Sequence, residues 1–126
     1  MLAIAQGWEL EVQRGPDWLL VRAKSGGDQT SDALPLADEI WDLLQRHFTY
    51  RLVLELDQVE LLDSHLIGQL VRLYKRIAER DGVMRLCGLS AYNLDVLRTC
   101  RLDECFQPYP DRKEAILAPR STPQPR

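Results

Sequence analysis

Residues 51–82 constrain this chain more than any other stretch, because they read as a buried strand, a tight crossing and a long helix. Arg51-Leu52-Val53-Leu54-Glu55-Leu56 is the strand, and Asp57 to Leu62 is the crossing. Asp63-Ser64 then opens a helix in which Leu66, Ile67, Leu70, Val71, Tyr74, Ile77 and Ala78 fall on one face. Gln69, Arg72, Lys75, Arg76, Glu79 and Arg80 occupy the opposite face. Asp81-Gly82 follows the last periodic residue, and Gly82 is expected in the left-handed position that closes a helix. Asp63 and Ser64 therefore stand at a helix N-terminus, where unpaired backbone N–H groups and the helix dipole favour negative charge.

The flanking segments supply the rest of an α/β fold. Trp8 to Val12 alternates apolar and acidic residues, Gly15-Pro16-Asp17 is turn chemistry, and Trp18 to Ala23 is a second β-rich run, which together predict an N-terminal hairpin. Residues 25–32 are a polar loop without periodicity. A helix is expected from Pro35, with Leu36, Ile40, Leu43, Leu44 and Phe48 as its apolar stripe. Val83 to Cys87 is a further strand, so strand, helix and strand form a βαβ unit with parallel pairing. Ser90 can cap a short helix with Leu94 and Leu97 facing inward, and Cys105 to Tyr109 reads as a brief last strand. Asp111 with Glu114 has capping-box spacing and predicts a final helix over Arg112 to Leu117. The expected fold is a mixed sheet of four to five strands with helices mainly on one face. Residues 1–117 form one domain, and 118–126, with Pro119, Pro123 and Pro125, form a disordered tail.

Composition narrows the function classes. A hydrophobic content of 45% over 126 residues supports one packed core, and no apolar run approaches the roughly 18 residues of a membrane span. Met1 to Ala5 lacks a basic start and is soon followed by Gln6 and Glu9, unlike a secretory leader. A net charge of −3 argues against direct nucleic-acid binding through a basic surface. Cys87, Cys100 and Cys105 are odd in number and read as reduced thiols, which fits a cytoplasmic protein. His47 and His65 lack the spacing of a metal site, and no glycine-rich phosphate cradle is present, so neither metal nor cofactor is expected. Ser64 and His65 are adjacent on a helix and do not face each other, and no orienting acid accompanies them, so no catalytic residues are expected and an enzyme is disfavoured.

Asp63-Ser64-His65-Leu66-Ile67-Gly68 resembles the motif of the STAS family, whose bacterial members include the anti-sigma factor antagonists. The family pattern is Asp-Ser-(Ser or Thr)-Gly-(apolar)-Gly at the start of a helix. The resemblance continues through Leu73-Tyr74-Lys75-Arg76, Leu86-Cys87-Gly88-Leu89-Ser90, Leu102-Asp103 with Phe106, and Glu114-Ala115. It implies a STAS-like fold and a role in partner switching, in which a protein that is both anti-sigma factor and serine kinase phosphorylates the serine. The unmodified form binds that partner and frees a sigma factor. Carried over, Ser64 is the phosphoacceptor, and Asp63, Ser64, His65, Leu66 and Gly68 form the partner-binding surface.

His65 stands where the family has Ser or Thr, Leu66 where it has Gly, and Arg101 where it often has Gly. The first two favour an alternative in which the fold is kept as a non-phosphorylated interaction or small-ligand-sensing domain. On residue type alone, Ser64 reads first as a helix-start residue satisfying backbone N–H groups, and it is the resemblance that raises the phosphoacceptor role.

Overall fold

The computed structural model describes residues 2–5, 8–25, 35–106 and 108–118. In chain order the elements are β1 (Leu2–Ala5), β2 (Trp8–Arg14), β3 (Leu19–Ser25), α1 (Leu36–Arg46), β4 (Arg51–Gln58), α2 (Ser64–Glu79), β5 (Val83–Cys87), α3 (Ala91–Thr99), α4 (Asp103–Phe106) and α5 (Arg112–Leu117). The strands form one mixed sheet in the order β1-β2-β3-β4-β5. β1 with β2 and β2 with β3 are antiparallel, whereas β3 with β4 and β4 with β5 are parallel.

Side-chain alternation along the strands divides the interior in two. Leu19, Val21, Leu52, Leu54, Leu56, Met84 and Leu86 join the buried stripes of α1 and α2 in the main core. On the other face, Trp18, Leu20, Val53 and Cys87 pack with Ala115 of α5. Among the described residues most helices therefore cover one face, with α5 on the second.

That second face also holds charge. Glu55, 6% exposed, accepts from Arg112 Nε at 2.6 Å and from Arg22 Nη2 at 3.2 Å, which ties α5 and β3 to β4. Arg85 is 2% exposed and donates to the carbonyls of Ala115 at 2.6 Å and Ala118 at 3.1 Å, satisfying oxygens at the end of α5 that the helix leaves open. Its guanidinium also lies over the Trp18 ring, 4.9 Å from the centroid.

Several expectations need correction. β1 went unrecognised because Leu-Ala-Ile-Ala shows no apolar–polar alternation, and only its backbone pairing with β2 defines it. The last strand is replaced by α4 and a single bridge between Cys87 and Tyr109. Phe48, placed on the α1 stripe, is 91% exposed, because the helix ends at Arg46 and Phe48 turns outward with φ 53°. Asn93 rather than Leu94 is sealed inside α3, and Leu94 is half-buried. In α2 the buried residues are Leu66, Leu70, Leu73 and Ile77, while Ala78 is exposed. The left-handed residue closing α2 is Asp81, at φ 56°, not Gly82. Gly82 is needed for space instead: a Cβ there would collide with the Tyr50 carbonyl and come within 2.7 Å of Ile77 Cγ2. Ala118 of the expected tail is held by Arg85, and the rest of that tail and most of the polar loop lie outside the described residues.

Candidate functional site

The parallel pair β4 and β5 both run towards the end of the sheet where α2 begins. Val59 and Leu62 are buried in the crossing and hold it against the core, while Glu60 and Leu61 between and beside them face outward. Asp63 is the N-cap of α2, with an extended backbone, and its Oδ1 accepts from the Leu66 N–H at 2.8 Å. Capping therefore falls to Asp63, and Ser64 is the first residue of the helix proper.

Asp63, Ser64 and His65 are all exposed. Leu66 is not: it is 3% exposed and belongs to the main core, so its side chain takes no part in a contact surface. Helical geometry explains the difference. Residues 66, 70, 73 and 77 share the inward face, whereas 64, 65 and 68 share the outward one. Gly68 lies on that outward face, one turn on from Ser64 and His65, and a Cβ there would meet nothing within 4 Å.

The crossing is braced by a residue that sequence reasoning missed. Asn93 of α3 is fully buried, accepts from the Leu62 N–H at 3.0 Å, and donates through Nδ2 to the carbonyls of Val59 at 3.1 Å and Glu60 at 3.5 Å. Ser90, the N-cap of α3, accepts from the Asn93 N–H at 3.1 Å and fixes the start of that helix. The sequence signal was a polar residue at an inward helical position, three residues after the cap and four before Leu97.

α2 is anchored laterally to α1. Pro35 gives no side-chain cap to α1, and Gln69 of α2 fills that role by accepting from the Ala37 N–H at 3.0 Å. Arg76 pairs with Asp38 at 2.9 Å. Ser64 thus sits on a helix fixed at its cap, along its buried face and against its neighbour.

The chemistry available here is that of a modifiable or contacted surface. Among the described residues no group of three or more His, Cys, Asp or Glu is placed to hold a metal ion, and no helix is long and apolar enough to cross a membrane. The Cys87 thiol is buried beneath α5, where desolvation and then the Glu55 carboxylate push its pKa up to about 12.

Comparison with known proteins adds the relationship. The family model for the STAS domain matches residues 29–115. An anti-sigma-factor antagonist (STAS) domain protein from Planctomyces limnophilus is similar at 26% identity and a TM-score of 0.64, covering 86% of this chain and 96% of its own. The Thermotoga maritima protein TM1081 has a similar fold by NMR, at 20% identity, a TM-score of 0.73 and 85% of both chains. Its crystal structure, described as that of a candidate anti-sigma factor antagonist, gives 18% identity and a TM-score of 0.64 over 85% of this chain and 91% of its own. No curated protein sequence matches the chain.

Proposed function

The chain belongs to the STAS domain family, and from that premise we propose that it is a regulatory protein-interaction module of the anti-sigma factor antagonist type. On this reading it acts in the cytoplasm, binds an anti-sigma factor with serine kinase activity, and is switched by phosphorylation of Ser64. Residues 1–117 work as a unit that performs no chemistry of its own.

The observation that carries the reading is the outward stripe at the start of α2. Asp63, Ser64 and His65 are exposed, and Gly68 leaves bare backbone one turn along. A glycine inside a helix costs roughly 0.5–1 kcal/mol relative to alanine. No packing contact at Gly68 explains that cost, and close approach by a partner does.

The departure at Leu66 loses its force for the same geometric reason. Its side chain turns into the core and does not obstruct the surface. His65 remains a difference at the surface and can pair with a phosphate on Ser64 or with an acidic partner group.

Phosphorylation adds roughly −1.5 to −2 charge at neutral pH. The N-terminus of α2 accommodates that charge, so the fold persists while the surface offered to a partner changes. The test is to incubate the protein with serine kinases of the anti-sigma type and ATP, and to locate phosphate by mass spectrometry. Label on Ser64, abolished in Ser64→Ala, is expected. No label with any such kinase, together with unchanged partner binding by Ser64→Asp, would defeat the switch and leave a non-switching interaction domain.

A further inference from the structure

Four large apolar side chains are strongly exposed among the described residues: Phe48, Leu61, Tyr92 and Leu117. Two of them are brought to the same end of the sheet. Leu61, 52% exposed, is in the crossing two residues before the Asp63 cap, and Tyr92, 63% exposed, is in the first turn of α3. The segments that carry them are joined by the Asn93 hydrogen bonds to Leu62 N–H and Glu60 O, the chain neighbours of Leu61. Asn93 is itself the neighbour of Tyr92.

Acidic groups border this pair. Glu60, Asp63 and Asp95 are exposed, and Asp95 lies three residues from Tyr92 on the same side of α3. No lysine or arginine occurs from residue 57 to residue 64.

We propose that Leu61 and Tyr92 are the apolar anchor of the docking surface beside Ser64, and that the partner presents an apolar contact bordered by lysine or arginine. The inference rests on the reading of Ser64 given above and extends that surface from the start of α2 to the start of α3. A tyrosine offers a large contact area at small entropic cost, and aromatic side chains of this kind carry much of the energy of protein interfaces. The acidic border selects a partner of opposite sign and speeds its approach.

A basic border attracts a phosphate at long range, so release on phosphorylation has to arise at the contact. Burying an unpaired dianion where a neutral hydroxyl was seated is costly. Attraction between exposed charges is meanwhile screened beyond about 10 Å at ~0.1 M salt. The anchor and the switch are thus separable.

The test uses the full chain and the kinase that labels Ser64, without nucleotide, in isothermal titration. Tyr92→Ala and Leu61→Ala are expected to bind roughly tenfold or more weakly, with melting temperatures close to the parent because both side chains are exposed. Phe48→Ala, at the far end of β4, is expected to bind normally, and added salt is expected to weaken every complex. Normal affinity for both Tyr92→Ala and Leu61→Ala, with Ser64 still phosphorylated, overturns the anchor and leaves the switch standing. A parent protein that self-associates, and becomes monomeric on Tyr92→Ala with kinase affinity unchanged, overturns it in favour of a second copy of the chain. Failure of any kinase to label Ser64 removes the premise and the anchor together.

Discussion

The backbone N–H of Leu62 donates to Asn93 Oδ1 at 3.0 Å, so a loop that delivers Ser64 to the surface is held by a helix that comes 31 residues later. The bond is buried, and Asn93 returns two more bonds to the same loop. Removing the side chain leaves Leu62 N–H and Val59 O without it, and each stranded buried group costs about 1–3 kcal/mol. Asn93→Ala is expected to lower unfolding free energy in urea by about 2–6 kcal/mol. Asn93→Asp is expected to do no better, since it keeps the acceptor, loses the donor and buries a charge. A loss below about 0.5 kcal/mol, the range of ordinary surface changes, would show that the crossing keeps its shape unaided.

Two glycines should respond to alanine with opposite signs. At Gly68 the added Cβ meets nothing, and helix propensity alone predicts a gain of about 0.5–1 kcal/mol. At Gly82 the added Cβ meets the Tyr50 carbonyl and the Ile77 side chain, and overpacking of this kind costs about 1–3 kcal/mol. Denaturant titration of the two variants reads both signs directly. Gly68→Ala carries a second expectation, weaker binding to the partner despite the steadier fold. A Gly68→Ala protein that is both more stable and fully competent to bind would remove the case for close backbone approach.

How much of this was legible in the chain beforehand follows from where periodicity carries information. The βαβ unit and the stripe of α2 were readable because Leu66, Leu70 and Ile77 repeat at helical spacing and Leu52, Leu54 and Leu56 line one strand face. Asp63 as a helix-start residue followed from its side-chain chemistry. Periodicity failed where long-range geometry decides. Nothing local marks Asn93 as the brace of a distant loop, and nothing local distinguishes Gly82, kept for space, from a glycine kept for its backbone. Phe48 looked like the next turn of α1, yet the helix had already ended. Leu66 was assigned to the contact surface through its place in a motif, although its own place in the apolar stripe already put it inside.

Cys87 gives a pH dependence with a defined sign. Burial, and then the Glu55 carboxylate, raise its pKa from the ordinary 9.0 to about 12. Below pH 9 both folded and unfolded thiols keep their proton, and the site contributes its full stability. Above pH 9 the unfolded thiol ionises while the folded one does not, so the unfolded state gains and stability falls by up to about 1.4 kcal/mol per pH unit. The stability difference between the parent and Cys87→Ala should therefore shrink as pH rises from 9 towards 12. Thiol labelling at mild pH should modify the exposed Cys100 readily and Cys87 only on unfolding. Rapid labelling of Cys87 in the folded protein would show that α5 does not stay closed over it.

Ser64 offers the sharpest separation of structure from function. Because Asp63 supplies the cap, Ser64→Ala removes no capping bond and is expected to change stability by less than about 0.5 kcal/mol. Asp63→Ala, by contrast, removes the acceptor for Leu66 N–H and is expected to cost about 0.5–2 kcal/mol. Ser64→Asp places a carboxylate in the first turn, where the dipole favours it by about 0.3–1 kcal/mol, so the protein should melt at or slightly above the parent temperature. Its affinity for the partner should nevertheless fall at least as far as that of the unmodified protein falls on Tyr92→Ala or Leu61→Ala, because a charge now sits where a hydroxyl was seated. Ser64→Ala should bind regardless of ATP. A Ser64→Asp variant that is fully folded and binds as the parent does would mean that this exposed first-turn position is a surface detail and that regulation, if any, enters the domain elsewhere.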